Sequence, residues 1–172
     1  MNFAIDHCDA FDGKSENLWM KCEHCGRYLF AVDYLKTVWE TLGQEEFRVL
    51  DAACAEGFGS MMLTQHGFQV IGLDVEQAYL SHAMERCNAS FFCVDFDHDS
   101  FPADASGMDA VVSFETIEHL DQAEDFLAKL WACLKKEGIL LLSFPNAAYE
   151  KLDENGNNKD PYHKRIFDPE EM

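Results

Sequence analysis

The chain has 172 residues, of which 48% are hydrophobic and 13% aromatic, enough for one continuous core and too apolar for a disordered or low-complexity protein. Its 13 Lys and Arg against 32 Asp and Glu give a net charge of −19. That balance argues against a general nucleic-acid binder, which works by neutralising phosphates, and against docking on an anionic membrane.

No run approaches a membrane span, and the start Met1-Asn2-Phe3-Ala4-Ile5-Asp6-His7 lacks the basic and apolar regions of a signal peptide. A cytoplasmic location is the expectation. Seven cysteines, several inside apolar runs, suit reduced core thiols better than a disulfide framework. Cys22 and Cys25 have metal-ligand spacing, and His7 and Cys8 could complete a set on paper. A structural zinc site commonly takes two such pairs, however, and no second CxxC follows, so no metal is expected.

Residues 1–27 read as an N-terminal segment and 28–172 as one domain. From Tyr28 to Leu42 an apolar stripe through Ala31, Val32, Leu35, Val38 and Trp39 predicts a helix closed by Gly43. Phe47–Leu50 then predicts a strand ending at Asp51, followed by a small-residue turn and a helix through Met61–Leu63. Gln69–Leu73 predicts a strand ending at Asp74, then a helix through Tyr79, Ala83 and Cys87. Phe91–Val94 ends at Asp95, and Asp109–Phe114 is a further buried strand.

For the next helix, Asp121 stands where an N-cap belongs, with Glu124 three residues on. Phe126, Leu127, Leu130, Trp131 and Leu134 share a face, Lys135 and Lys136 fill the last turn, and Gly138 closes it. Ile139–Phe144 follows as a last strand, and residues 153–161 form a polar loop. Short apolar strands alternating with amphipathic helices mean a doubly wound, mostly parallel α/β sheet, with ligands expected beyond the carboxyl ends of the strands.

Three of those ends carry acids, Asp51, Asp74 and Asp95, spaced 23 and 21 residues apart. The turn Asp51-Ala52-Ala53-Cys54-Ala55-Glu56-Gly57-Phe58-Gly59-Ser60 is small enough for a ligand to approach its backbone. A dinucleotide fingerprint would place glycines where Ala53 and Ala55 stand and would leave the phosphates unopposed. Here Asp51 and Glu56 flank that spot, and their charge suits a ligand carrying an ammonium and a sulfonium. Asp74 can accept hydrogen bonds from ribose hydroxyls, and Asp95 from an adenine amino group.

In these segments the chain resembles the class I S-adenosylmethionine-dependent methyltransferases. Val49–Ser60 is similar to their first motif, Ile71–Asp74 to the second and Val94–Phe96 to the third. Met108–Leu120 and Leu134–Asn146 are similar to the fourth and fifth strand segments. His24–Ala31 and Tyr162–Glu171 are similar to segments flanking the sheet in one small-molecule subgroup.

The resemblance implies strand order 3-2-1-4-5 and S-adenosylmethionine as cofactor. It implies that Asp51 and the backbone of Ala52, Ala53 and Gly57 line the methionine moiety, with Phe114 beside it and Arg27 facing the carboxylate. Asp74 would hold the ribose, Val75 would pack on the adenine, and Asp95 with the Phe96 backbone would read its edge. Alanines replace the family's usual glycines at 53 and 55, which narrows the pocket.

For catalysis, Glu115 and His119 are four apart, so on a helix they would share a face and the carboxylate could orient the imidazole as a general base. His163 is a second candidate base. Glu115-x-x-Glu118-His119 fails as an H-x-x-E-H zinc motif because residue 115 is not histidine. A small-molecule acceptor, a sugar or other metabolite, is the expected substrate.

The family fold continues beyond the fifth strand, whereas only 26 residues follow Asn146. The domain is therefore expected to be cut short C-terminally, with an exposed edge that invites a homo-oligomer. Two rival functions follow from the residues: a non-catalytic cofactor-fold module that binds a partner, and a nicotinamide-dependent oxidoreductase.

Overall fold

The computed structural model describes residues 18–148 and 162–168. The strands β1 (Arg48–Ala52), β2 (Gln69–Asp74), β3 (Ser90–Cys93), β4 (Met108–Phe114) and β5 (Leu134–Ser143) form one sheet of order β3-β2-β1-β4-β5. All neighbouring pairs are parallel, and the expected 3-2-1-4-5 topology is the one observed. Helices α1 (Leu18–Leu42), α2 (Phe58–Gln65), α3 (Gln77–Arg86) and α4 (Ala123–Cys133) cover it.

Both faces of the central strands are buried, which is why their sequences run apolar without alternation. Along β1, Val49 belongs to one core layer and Leu50 to the other; along β4, Ala110 and Val112 face one layer and Val111 the opposite one. The first layer packs Phe126 and Leu130 of α4 on the sheet, and the second packs Leu35 of α1 and Leu63 of α2. Trp39 closes the second layer against Phe47 and Phe68, at ring separations of 6.0 and 5.4 Å.

Three expectations are corrected by the fold. The first helix begins at Leu18, not Tyr28, so the boundary drawn at 27/28 falls within one continuous helix. Its inner stripe of Tyr28, Ala31, Val32 and Leu35 was legible, whereas none of the helix residues preceding Tyr28 is buried.

Second, α4 is not capped by Asp121. The helix starts at Ala123, and Asp97 accepts hydrogen bonds from the backbone N–H of Asp121 and Gln122 at 3.3 and 2.8 Å. The cap thus comes from 24 residues away, while Asp121 itself accepts from Lys164 at 2.7 Å.

Third, α4 ends at Cys133, and Lys135, Lys136 and Gly138 lie in an irregular start to β5, where the register slips between Met108 and Ala110. Lys135 leaves the helical path to reach buried Asp109 at 2.6 Å. Trp131, expected on the packed face, is 65% exposed.

His7 and Cys8 as metal ligands, the polar loop at 153–161 and the family-like stretch at 169–171 lie outside the described residues. Cys22 and Cys25 sit on α1 with free thiols. No helix among the described residues is long and apolar enough to cross a membrane.

Candidate cofactor site

The site forms where β1 and β2 end side by side. The N–H groups of Ala53 and Cys54 both donate to the Leu73 carbonyl, at 2.8 and 3.0 Å, which draws the loop after β1 across the tip of β2. Asp74 then holds it. One carboxylate oxygen accepts from Ala55 N at 2.8 Å, and the other from Glu76 N at 2.9 Å. Val75, beside it, is 42% exposed and offers an apolar surface next to the loop.

To make this turn, Ala53, Ala55 and Gly57 all adopt left-handed backbone, with φ of 70°, 45° and 78°. Gly57 has a second constraint, because a Cβ there would stand 2.7 Å from the Ala83 methyl. The alanines carry a left-handed penalty of roughly 1–2 kcal/mol each, part of which glycine would return through unfolded-chain entropy. Ala53→Gly and Ala55→Gly are each expected to stabilise the chain by about 0.5–1 kcal/mol, read as a higher melting temperature.

Asp51 lies beneath the loop with no exposed surface. Its two oxygens accept from the Tyr28 hydroxyl at 2.8 Å and the Ser60 hydroxyl at 2.6 Å. Sequence reasoning missed both partners. Tyr28 read as a core residue of the α1 stripe, and a hydroxyl on a buried stripe was the available signal. The Asp51 side chain, expected to line the methionine moiety, is turned inward and fully buried.

Burial pushes the Asp51 carboxyl up to about 6, against the pull of the Ser60 and Tyr28 hydrogen bonds, and the charge of Asp74 adds to the rise. Asp51 therefore holds its proton more tightly in the folded chain than in the unfolded one. Its contribution to stability is present below the unfolded value near 4 and is lost as pH rises to about 6, a change of about 3 kcal/mol at 1.36 kcal/mol per pH unit. Urea unfolding between about pH 4 and 7 is expected to show this decline in the native chain and a flatter profile in Asp51→Asn.

Glu56, expected to flank the ligand, is instead turned toward α3, where His82 and Arg86 approach its two oxygens at 3.4 Å. At the tip of β3, Asp95 closes its own turn, accepting from Asp97 N at 2.9 Å and pairing with His98 at 3.1 Å. The Phe96 ring belongs to the core against Phe126, and its carbonyl accepts from Lys129 at 2.9 Å. Asp95 stays half exposed beside the cleft.

At the end of β4, Phe114 packs edge-on against Tyr28 with 5.1 Å between rings. Glu115 is not helical, with φ of 51°, and its carboxylate accepts from Ser143 at 2.7 Å and pairs with Arg27 at 3.3 Å. The shared helix face for Glu115 and His119 is therefore corrected: a left-handed residue and a short 3-10 turn at Ile117–His119 separate them. The carboxylate beside His119 is Glu118, at 3.8 Å, and the His163 ring lies 5.1 Å from that of His119.

An open parallel sheet with acid-tipped central strands and a left-handed loop over them defines a doubly wound domain for an adenosine cofactor. A family model described as "Methyltransferase domain" matches residues 49–138. A "Probable S-adenosylmethionine-dependent methyltransferase" of Mycolicibacterium smegmatis is 34% identical over 101 residues, 57% of this chain and 38% of that protein. A "Ubiquinone biosynthesis O-methyltransferase" of Rickettsia bellii is 23% identical over 148 residues, 80% of this chain and 61% of that protein.

Among solved structures, the plantazolicin methyltransferase BpumL in complex with SAH superposes with a TM-score of 0.65 at 18% identity, covering 82% of this chain and 58% of that one. An S-adenosylmethionine-dependent methyltransferase from Mesorhizobium loti gives 0.56 at 20% identity, covering 62% and 50%. The chain spans less than two thirds of the length of the mycobacterial and rickettsial relatives.

The chain belongs to the class I S-adenosylmethionine-dependent methyltransferases. The residues at the β1 and β2 tips fit that family's cofactor: small side chains in the loop, an exposed apolar residue at Val75, and a carboxylate, Asp74, held at the tip of β2.

Proposed function

We propose that this chain transfers a methyl group from S-adenosylmethionine to a small-molecule acceptor, a sugar or other metabolite. The observation that supports it most is Asp74. A carboxylate at the β2 tip, held by two backbone N–H groups, is preorganised to accept from the hydroxyls of a ribose. The relatives' names point the same way, one of them to ubiquinone biosynthesis. The acidic chain disfavours a nucleic-acid acceptor.

The cofactor supplies a methyl carbon on a positively charged sulfur. With the cofactor bound, the acceptor's lone pair would form the new bond to that carbon as the carbon–sulfur pair stays on sulfur. The protein's part is to hold the reacting atoms in line. In this reading Asp74 fixes the ribose, Val75 covers the adenine and Asp95 with the Phe96 backbone meets its edge. The Ala52, Ala53 and Gly57 backbone and Phe114 border the methionine end, where buried Asp51 adds negative charge. Arg27 exchanges Glu115 for the cofactor carboxylate. An acceptor proton passes to His119 or His163, while Glu115, released by Arg27, keeps the hydrogen bond from Ser143.

Calorimetric titration with S-adenosylhomocysteine and with NADH tests the reading. Micromolar binding of the first and none of the second is expected. The reverse result makes the site a dinucleotide pocket, and binding of neither leaves a partner-binding module.

A further inference from the structure

We infer that the cleft between α1 and the edge strand β5 receives the methyl acceptor, that Gly26 sets its width, and that the acceptor is a largely apolar molecule with a single polar end. The acceptor class so defined rests on the methyl-transfer reading and narrows it away from sugars.

The cleft measures about 640 Å³, within the roughly 300–1,000 Å³ of small-molecule sites. Its apolar walls are Phe30 of α1, Phe114 of β4 and Leu140, Leu141 and Leu142 of β5. The run Ile139–Leu142 is apolar throughout, yet none of it is fully buried, because β5 is the outermost strand among the described residues. Arg27 and Ser143 also line the cleft, and the same two side chains hold Glu115, at 3.3 and 2.7 Å. Exposed Glu23 is the other charged residue along it.

Gly26 is the residue that points to a ligand. It stands inside the 25-residue helix α1, and glycine is the poorest helix former after proline. Neither packing nor backbone conformation demands it there. Among the described residues, no atom apart from its chain neighbours and the helix backbone lies within 4 Å of where a Cβ would stand, and its φ is not left-handed. The space beside it is open to the cleft, so a bound molecule can lie directly against the helix backbone, a recurring use of glycine.

Phe114 and Arg27 tie the cleft to the cofactor. In the proposed reading Phe114 borders the methionine end and Arg27 meets the cofactor carboxylate, so a molecule in the cleft shares both residues with the methyl donor. Five apolar side chains offer no partners to the several hydroxyls of a sugar, and a buried hydroxyl without a partner is costly. An aromatic or alkyl body, with one hydroxyl beside Arg27 and Ser143, avoids that cost.

The full chain saturated with S-adenosylhomocysteine, titrated calorimetrically with para-hexylphenol and with methyl glucoside, tests this. Expected are one-to-one saturable binding of the phenol and none of the glucoside. Gly26→Leu is expected to weaken the phenol by at least about tenfold, the effect of a small misfit in an apolar pocket, while it raises the melting temperature and leaves S-adenosylhomocysteine affinity unchanged. Phe30→Ala, which removes an exposed side chain, is expected to weaken the phenol as well and serves if Gly26→Leu does not fold. Trp131→Ala alters the groove on the α4 side of β5 and is expected to bind the phenol as the native chain does.

Preference for the glucoside, native phenol affinity in Gly26→Leu or Phe30→Ala, a lower melting temperature in Gly26→Leu, or loss of phenol binding in Trp131→Ala overturns the assignment. So does a native dimer in sedimentation that Gly26→Leu dissociates, since the cleft is then an interface between copies. Retained S-adenosylhomocysteine binding without phenol binding sinks the acceptor class alone, whereas a native chain that binds no S-adenosylhomocysteine removes the cofactor reading beneath it.

Discussion

Asp74→Ala is expected to lower the affinity for S-adenosylhomocysteine by about 10–100-fold and to destabilise the free protein by about 3 kcal/mol. The two effects have separate origins. In the free chain, the Asp74 carboxylate, 7% exposed, accepts from Ala55 N and Glu76 N. Each is a hydrogen bond to a charged group, worth roughly 1.5–3 kcal/mol, and alanine leaves both N–H groups without it. The loss falls on the left-handed Ala53–Gly57 turn, so the loop over β2 loosens along with the ribose contact.

Asp74→Asn tells the two apart. One amide oxygen can still serve one N–H, so stability is expected to recover in part while ribose binding stays weak. Urea unfolding and calorimetry on the same preparations read both quantities. An Asp74→Ala protein that folds and binds at native affinity removes Asp74 from the cofactor site.

What the chain revealed before its structure follows from the range of the forces involved. Strand positions came through because β1, β2 and β4 are buried on both faces, so each is a short apolar run ended by a polar residue. The acids at the β1 and β2 tips were legible for the same reason: an Asp after a run of apolar residues marks the strand end.

What such a reading cannot reach are partners supplied from elsewhere in the chain. Asp97 caps α4, Lys135 breaks that helix to meet Asp109, and Arg27 takes Glu115 out of the helix drawn through it. Each replaces a plausible local hydrogen bond or charge pair with one spanning 25, 26 or 88 residues. His163 was singled out as a base, but only the bridge of Lys164 and Arg165 to the Glu118 carbonyl brings it beside His119.

Gly59→Ala is the substitution with the greatest expected effect on folding, about 4 kcal/mol, the sum of an overpacking cost and a lost buried hydrogen bond. A Cβ at Gly59 would lie 1.8 Å from Tyr28 Cζ and 2.0 Å from Cε1, inside the ring's own volume. The ring has no easy retreat, since it is 8% exposed and held edge-on by Phe114 and Phe58. Either α2 lifts from the sheet or Tyr28 leaves, at an overpacking cost of about 1–3 kcal/mol.

If Tyr28 leaves, its hydrogen bond to Asp51 goes too, a further loss of roughly 1.5–3 kcal/mol for a bond to a charged acceptor. That bond also lowers the Asp51 pKa, so its loss drives the buried carboxyl further upward. The pH range over which the chain loses stability is therefore expected to move to higher pH in Gly59→Ala, as it should in Tyr28→Phe. A Tyr28→Ala background completes the cycle. With the ring gone, adding the Gly59 methyl is expected to cost far less than it does in the native chain. Additive losses in that cycle would show that the cost of the Gly59 methyl does not arise from its clash with the Tyr28 ring.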